Sequence, residues 1–228
     1  MSVIKWANFK SLHDISFDEA EPYAMPIIVR VEKTPDLIPS HEDTQLAVAR
    51  AIALFFDSTK IIDGGEWKPQ VDKWLEGRIR KVARRARGKE WEDVKKLDHI
   101  YASHGKAEAI ILPPHPNFQP PAEIKKLQVS GLDLASDLQE HNIHAGLEFA
   151  VNPDIVMSTG KSLAQIAHAC QLGIFNSDEE TLASWRSNNM PISICRWDEH
   201  DVWTAEIRDA GFTEIPPNSL TVKSIMHY

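Results

Sequence analysis

The sequence predicts an α/β protein, and three observations carry that prediction. Short apolar runs of strand length, such as Pro26–Glu32 (PIIVRVE) and Ala107–Leu112 (AEAIIL), alternate with longer segments whose apolar residues recur every three or four positions. A stretch with five prolines in nine positions, Pro113 to Pro121, divides the chain. The parts on either side of it also resemble each other. Thr44–Asp57 (TQLAVARAIALFFD) lies over Ser162–Phe175, with Ala49-Arg50-Ala51 against Ala167-His168-Ala169, and Lys73–Gly77 lies over Ser184–Asn188. Ala107–Pro114 can be laid over Gly211–Asn218, so the chain reads as two pseudo-repeated α/β halves.

Taken in order, residues 1–24 show no clean period and form an arm with no assigned role. Residues 25–116 form the first half. After the strand at Pro26, Ser40-His41-Glu42-Asp43 is a helix start, and Leu46, Ala49, Ile52, Ala53 and Phe56 line one helical face. A helix through Trp74 ends near Gly77, and the basic run that follows leads into a charged helix to about Leu97. Residues 117–145 are a linker in which Ile124–Leu134 can add a strand, and 146–228 form the second half. There the order is a strand at Leu147–Val151, a helix from Gly160, a short helix at Leu182–Arg186, and strands at Ile192–Arg196, Val202–Arg208 and Leu220–Met226.

Composition narrows the setting. Hydrophobic residues make up 43 % of 228, and no apolar run is long enough to span a bilayer, so a protein without a membrane role is expected. Two cysteines, Cys170 and Cys195, imply no disulfide framework, and the amino terminus lacks a basic start before an apolar segment; the cytoplasm is the expected location. The net charge of −8 argues against general coating of nucleic acid. Yet seven of the 25 basic residues fall within Arg78–Lys89, a local patch suited to phosphate, or else a solvated helix face. No metal site is read from the ten histidines: His141 and His144 have i, i+3 spacing but no accompanying ligand motif.

Spacing and chemistry coincide in Gly146–Gly173. Leu163, Ile166, Ala167, Cys170 and Ile174 share one helical face, while Lys161, Gln165 and His168 fall within a sector of about 60° on the other. Gly160-Lys161-Ser162 is the ending of a phosphate-binding loop, but the opening glycine is replaced by Ile155, whose side chain would keep the backbone from a phosphate. The whole run Asp154–Ala169 (DIVMSTGKSLAQIAHA) resembles instead the signature of the type 2 peptidyl-tRNA hydrolases, D-L-x-M-x-x-G-K followed by A-Q-x-x-H-A. Asp209–Val222 (DAGFTEIPPNSLTV) resembles that family's carboxy-terminal block, departing at Asn218 and Ser219, where glycine and threonine are usual. Asn tolerates a left-handed backbone and Ser keeps a hydroxyl.

The resemblance implies a mixed β-sheet flanked by helices, and cleavage of the ester between a peptide and the 3′ ribose of tRNA by direct attack of water, without a cofactor. It implies catalytic roles for Lys161, Asp209, Thr213 and Thr221, and substrate contacts from Gln165, His168 and Ser219. With tRNA as the partner, Arg78, Arg84, Arg85 and Arg87 become candidate phosphate contacts. Plainer readings stand beside these: Asp209 as a turn residue, Thr213 and Thr221 as strand residues, His168 as a structural histidine. Trp185 and Trp203 read as core before base-stacking groups. The family's helix between its second and third strands has no room in Cys195–Val202. The first half is therefore expected to supply packing surface, giving a monomer with pseudo-dimeric halves, or else a homodimer. A non-catalytic RNA- or protein-binding relative is the alternative function. In the first half Asp43, Ala47 and Arg50 stand where Lys161, Gln165 and His168 do, so that copy has lost the chemistry.

Overall fold

The computed structural model describes residues 22–137 and 146–227. The arm is outside the described residues almost entirely, as are His141 and His144. The first half runs β1 (Tyr23–Arg30), α1 (His41–Phe56), α2 (Lys68–Glu76), β2 (Arg80–Ala86), α3 (Lys89–Val94), β3 (Ile100–His104), β4 (Ala107–Ile111) and the short β5 (His115–Pro116). After α4 (Ala122–Lys125) the second half runs β6 (Gly146–Val151), α5 (Thr159–Phe175), α6 (Glu179–Ser187), β7 (Ile192–Cys195), β8 (Ala205–Arg208) and β9 (Leu220–His227). Among the described residues no helix is long and apolar enough to cross a membrane.

Two mixed sheets follow one plan. The first has the order β2-β1-β4-β3 and the second β7-β6-β9-β8. In each, the first strand pairs parallel with the second and antiparallel with the fourth. The likeness reaches single atoms. Trp74 Nε1 donates to Arg80 O at 2.9 Å, and Trp185 Nε1 to Pro191 O at 2.9 Å. Just before each of those carbonyls the backbone turns left-handed, at Ile79 (φ 50°) and Met190 (φ 49°). A positive φ at a β-branched residue is strained, and the same turn recurring at the same place marks a shared design. The third sequence overlay fails: Ala107–Ile111 occupies the place of β9, because both are the strand antiparallel to the first of their half, and Gly211–Asn218 is a loop.

Helix starts are set locally. Ser40 caps α1 by accepting from Asp43 N at 3.1 Å, and Ser158 caps α5 by accepting from Lys161 N at 3.2 Å. The two helices then pack on each other between the sheets, α5 also touching β2 and α1 touching β7. That reciprocity is what a two-fold relation between halves produces. Ala49 and Ala167 are fully buried, and the Cys170 thiol reaches Ala49 O at 3.4 Å. Gly173 allows α5 onto its own sheet, since a Cβ there would lie 2.7 Å from Leu147 Cδ1. The expectation that the first half lends packing surface is met at this contact.

Two expectations are corrected. The basic run does not enter a helix directly: Arg80–Ala86 is strand β2, and only Lys89–Val94 is helical. Pairing with β1 overrides the poor strand preference of its Arg and Lys residues. Ile124–Leu134 holds no named strand either. It begins within α4, and its one β contact is an isolated bridge between Gln128 and Arg85. Nor is the described part of the linker a free connector. Ile124 and Leu127 are buried, and Leu134 N donates to Thr159 Oγ1 at 2.9 Å while His41 N donates to Ala135 O at 2.9 Å. The linker thus ties the starts of α5 and α1 together.

Replacing Ala49 by Leu forces extra methylenes into the α1–α5 contact, and chemical denaturation is expected to show a loss of about 1–3 kcal/mol. An unchanged midpoint would mean that the halves are not held by this seam.

Candidate active site

Lys161 lies in the first turn of α5, where the Ser158 cap fixes the backbone. The cap is itself held from the β8–β9 loop: Ser158 N and Oγ donate to Glu214 at 2.9 and 2.6 Å. This brings Lys161 to Asp209, with which it forms an ion pair, and to Thr213, whose Oγ1 accepts from Nζ at 2.9 Å. The pair is largely shielded, with side-chain exposures of 12 % and 5 %. Removing one partner of such a pair leaves a charge stranded away from water.

Asp209 is the hub of a chain of bonds. Its Oδ2 also accepts from Gln165 Nε2 at 2.8 Å, and its Oδ1 accepts from Gly211 N at 2.8 Å. Gln165 Oε1 in turn accepts from Thr221 Oγ1 at 2.8 Å, which fixes the Gln165 amide with its nitrogen toward Asp209. The loop is tight: Gly211 has φ 77°, and a Cβ there would meet Pro217 at 2.6 Å. Asn218 takes φ 67°, the left-handed conformation expected of a residue standing in for glycine. The plain turn reading of Asp209 is therefore part of its role, since the same carboxylate caps the turn and holds Lys161.

His168 lies two turns further along α5. Its Nδ1 is 3.1 Å from Nζ of Lys81, which also donates to Gln171 Oε1. Burial, then the Lys81 and Lys161 charges, hold His168 well below its ordinary pKa, so the ring is neutral near pH 7. Burial likewise pushes Lys81 well down. Lys81 is a residue that sequence reasoning passed over within the basic run; strand alternation, which turns Lys81 and Arg85 toward the α1/α5 side and Arg80 and Arg84 away, was the missed signal.

The structure therefore brings together Lys161, Asp209, Thr213, Thr221 and Gln165, and it places His168 on the same helix against the first half. Arg78 joins this side, its guanidinium 5.8 Å from the centre of the Phe212 ring in the β8–β9 loop. The other arginines do not form one patch. Arg84 donates to Leu127 O at 3.1 Å on the opposite face of β2, Arg85 donates to Gln128, and Arg87 is exposed beyond the strand. The Ser219 hydroxyl turns inward to Pro216 O at 2.8 Å, serving its own turn. Trp185 is core, and Trp203 lies 5.2 Å from the His200 ring.

The counterpart of the site in the first half is built from other residues. Asp43 stands in the place of Lys161, and His104 Nε2, at the end of β3, lies 3.8 Å from its carboxylate. A cavity of about 230 Å³ opens beside them, lined by Leu46, Arg50, Ser103, His104, Asn189 and Ile192. Arg50 is committed to Asn189 O and Met190 O at 2.6 and 2.7 Å. The bonded Lys161–Asp209 cluster is the guide to chemistry.

The fold and cluster define a duplicated α/β protein with one retained polar site at a helix start. Comparison with known proteins gives that class a family. The family model described as "Peptidyl-tRNA hydrolase PTH2" matches residues 146–227. A peptidyl-tRNA hydrolase of Staphylothermus marinus is 34 % identical over 91 residues, covering 33 % of this chain and 75 % of the relative. The chain belongs to the peptidyl-tRNA hydrolase PTH2 family. The match covers the second half, β6 through β9, in which all four residues of the proposed catalytic set lie.

His41, His115 and His168 are all depressed, in each case by burial first. The folded protein then binds fewer protons than the unfolded chain, whose histidines titrate near about 6.5, so stability is present above that pH and falls on acidification through it. Thermal unfolding midpoints are expected to drop between about pH 6.5 and 5, and His168→Gln, which keeps an acceptor for Lys81, is expected to make the drop shallower. An identical profile in the variant would mean that His168 is not held neutral by the fold.

Proposed function

We propose that the protein is a peptidyl-tRNA hydrolase whose site is completed across its two halves. The observation that carries this reading is the Lys161–Asp209–Gln165–Thr221 chain, set in a member of this family with every side chain bonded to the next. Water attacks the ester carbonyl carbon, and the electron pair of the C=O moves to oxygen. Two of the three Lys161 N–H groups are used by Asp209 and Thr213 among the described residues, and the third stabilises that oxyanion. Collapse of the intermediate breaks the bond to the ribose oxygen, which takes the proton lost by the water.

Asp209 acts by positioning. It is buried, and Lys161, Gln165 and Gly211 N already converge on it, so its work is to hold the ammonium in place. Thr213 is exposed and accepts from Lys161, leaving its own O–H free to orient the attacking water. His168 and Arg78 extend the site along α5 toward the first half and meet the RNA end, with phosphate the natural ligand of Arg78. Because the halves supply each other's packing, the chain works as a monomer, and a charged-tRNA substrate sets it to work in the cytoplasm.

The test is single-turnover release of tRNA from N-blocked aminoacyl-tRNA. Lys161→Ala is expected to slow it by about a hundred- to a thousandfold. Asp209→Asn is expected to slow it strongly while keeping the acid limb of the pH–rate profile; loss of that limb would make Asp209 a base instead. Arg78→Ala is expected to raise KM and lower the salt slope of tRNA binding by about one, with kcat kept. Full activity in Lys161→Ala would sink the site, and tight tRNA binding without turnover in the unaltered protein would support the non-catalytic alternative.

A further inference from the structure

The second sheet has a face that the hydrolase site does not use. Leu147 and Phe149 of β6 point into the shared core with α5, so Glu148 between them points to the opposite side. By register it sits beside Ser193 of β7 and Ile225 of β9, and it is only 1 % exposed. In the first half the segment between the second and third strands contains helix α3; in the second half Arg196–Thr204 has no helix. That irregular crossing carries His200, while the end of β9 carries His227. Their Nε2 atoms lie 2.7 and 3.1 Å from the same oxygen, Oε2 of Glu148, and the ring centres are 4.9 Å apart.

We propose that Glu148, His200 and His227 form a binding site for a divalent transition-metal ion of the zinc class, which pins the Arg196–Thr204 crossing to the sheet where a helix is absent. One atom from each residue lies within 4.8 Å of the others. Tetrahedral zinc with bonds of about 2.0–2.2 Å keeps its ligand atoms about 3.3 Å apart, so modest side-chain adjustment accommodates the ion. Two imidazoles and a carboxylate are a donor set of zinc and its neighbours, whereas calcium and magnesium take oxygen ligands. Ser193 Oγ, 3.4 Å from Glu148 Oε1, supplies a further bond to the ligating carboxylate. With three protein ligands, water takes the fourth position.

The ion has a structural task. It joins β6, β9 and the crossing between β7 and β8, three segments that the backbone ladder alone leaves connected only through the sheet. It lies on the face away from Lys161, so the proposal stands without the hydrolase reading. The spacing of residues 148, 200 and 227 matches no local motif, which is why no metal site was expected from the histidines.

The full chain, stripped with chelator and dialysed, is titrated with Zn²⁺ by calorimetry and with Co²⁺ by visible absorption. One equivalent is expected to bind with micromolar or tighter affinity, to give the absorption of nitrogen- and oxygen-bound Co²⁺, and to raise the unfolding midpoint. His200→Ala and His227→Ala are each expected to weaken binding at least tenfold, with metal-free unfolding midpoints close to that of the unaltered protein showing that each variant keeps the fold. Cys195→Ser and the double variant His141→Ala with His144→Ala are expected to bind as the unaltered protein does. No saturable binding, binding unchanged in His227→Ala, or binding lost in the His141/His144 variant overturns the proposal.

Discussion

The contact on which the rest depends is the packing of α1 against α5. Each sheet is apolar on the face turned toward these helices, and neither half closes that face alone. Small residues, with Ala49 on one helix and Ala167 and Cys170 on the face of the other, bring the backbones close enough for a thiol of α5 to reach a carbonyl of α1. Once the helices are paired, β2 lies against α5 and β7 against α1. The two sheets then share one apolar core, which includes Ile27 and Phe149, the residues at matching places in β1 and β6.

That pairing also explains how one copy can keep a site and the other lose it. Lys161, Asp209 and Gln165 bond to one another within the second half, while His168 turns to Lys81 of the first. In the first half Asp43 and His104 stand 3.8 Å apart near the corresponding point, and Arg50 is spent on the loop before β7. There an aspartate, Asp43, stands in the place of Lys161, and an arginine that fastens the neighbouring half, Arg50, stands in the place of His168. The first half's Lys81 is buried against Trp74, 5.0 Å from the ring, and reaches His168 of the second half.

The missing helix after β7 is met by two different means. On the α5 face, the first half provides the covering surface. On the other face, Trp197 and Trp203 fold back over Lys223, at 4.1 and 5.4 Å from its ammonium, and His200 reaches Glu148. A short irregular segment can cover a sheet only where its own polar groups find partners, and the buried carboxylate is the strongest acceptor on that face.

Much of this was legible in the residues themselves. Ser40 announced one helix start, the apolar spacing gave both helices, and the GKS…Q…H stripe with DAGFTEIPP gave the retained cluster, because caps, periodicity and a bonded motif are local properties of sequence. The Ser158 cap, two residues before the expected start at Gly160, came only with the structure. The duplication was legible where Trp74 matches Trp185, and was misaligned at Ala107, because strand equivalence is defined by pairing partners. Strand β2 was hidden for the same reason: RKVARRA has no local preference for a strand and becomes one by lying beside β1. The splitting of the basic run, the turn of Lys81 toward His168, and the meeting of Glu148, His200 and His227 were decided by tertiary structure. Each joins residues far apart in the chain, and only the packing of elements sets such distances.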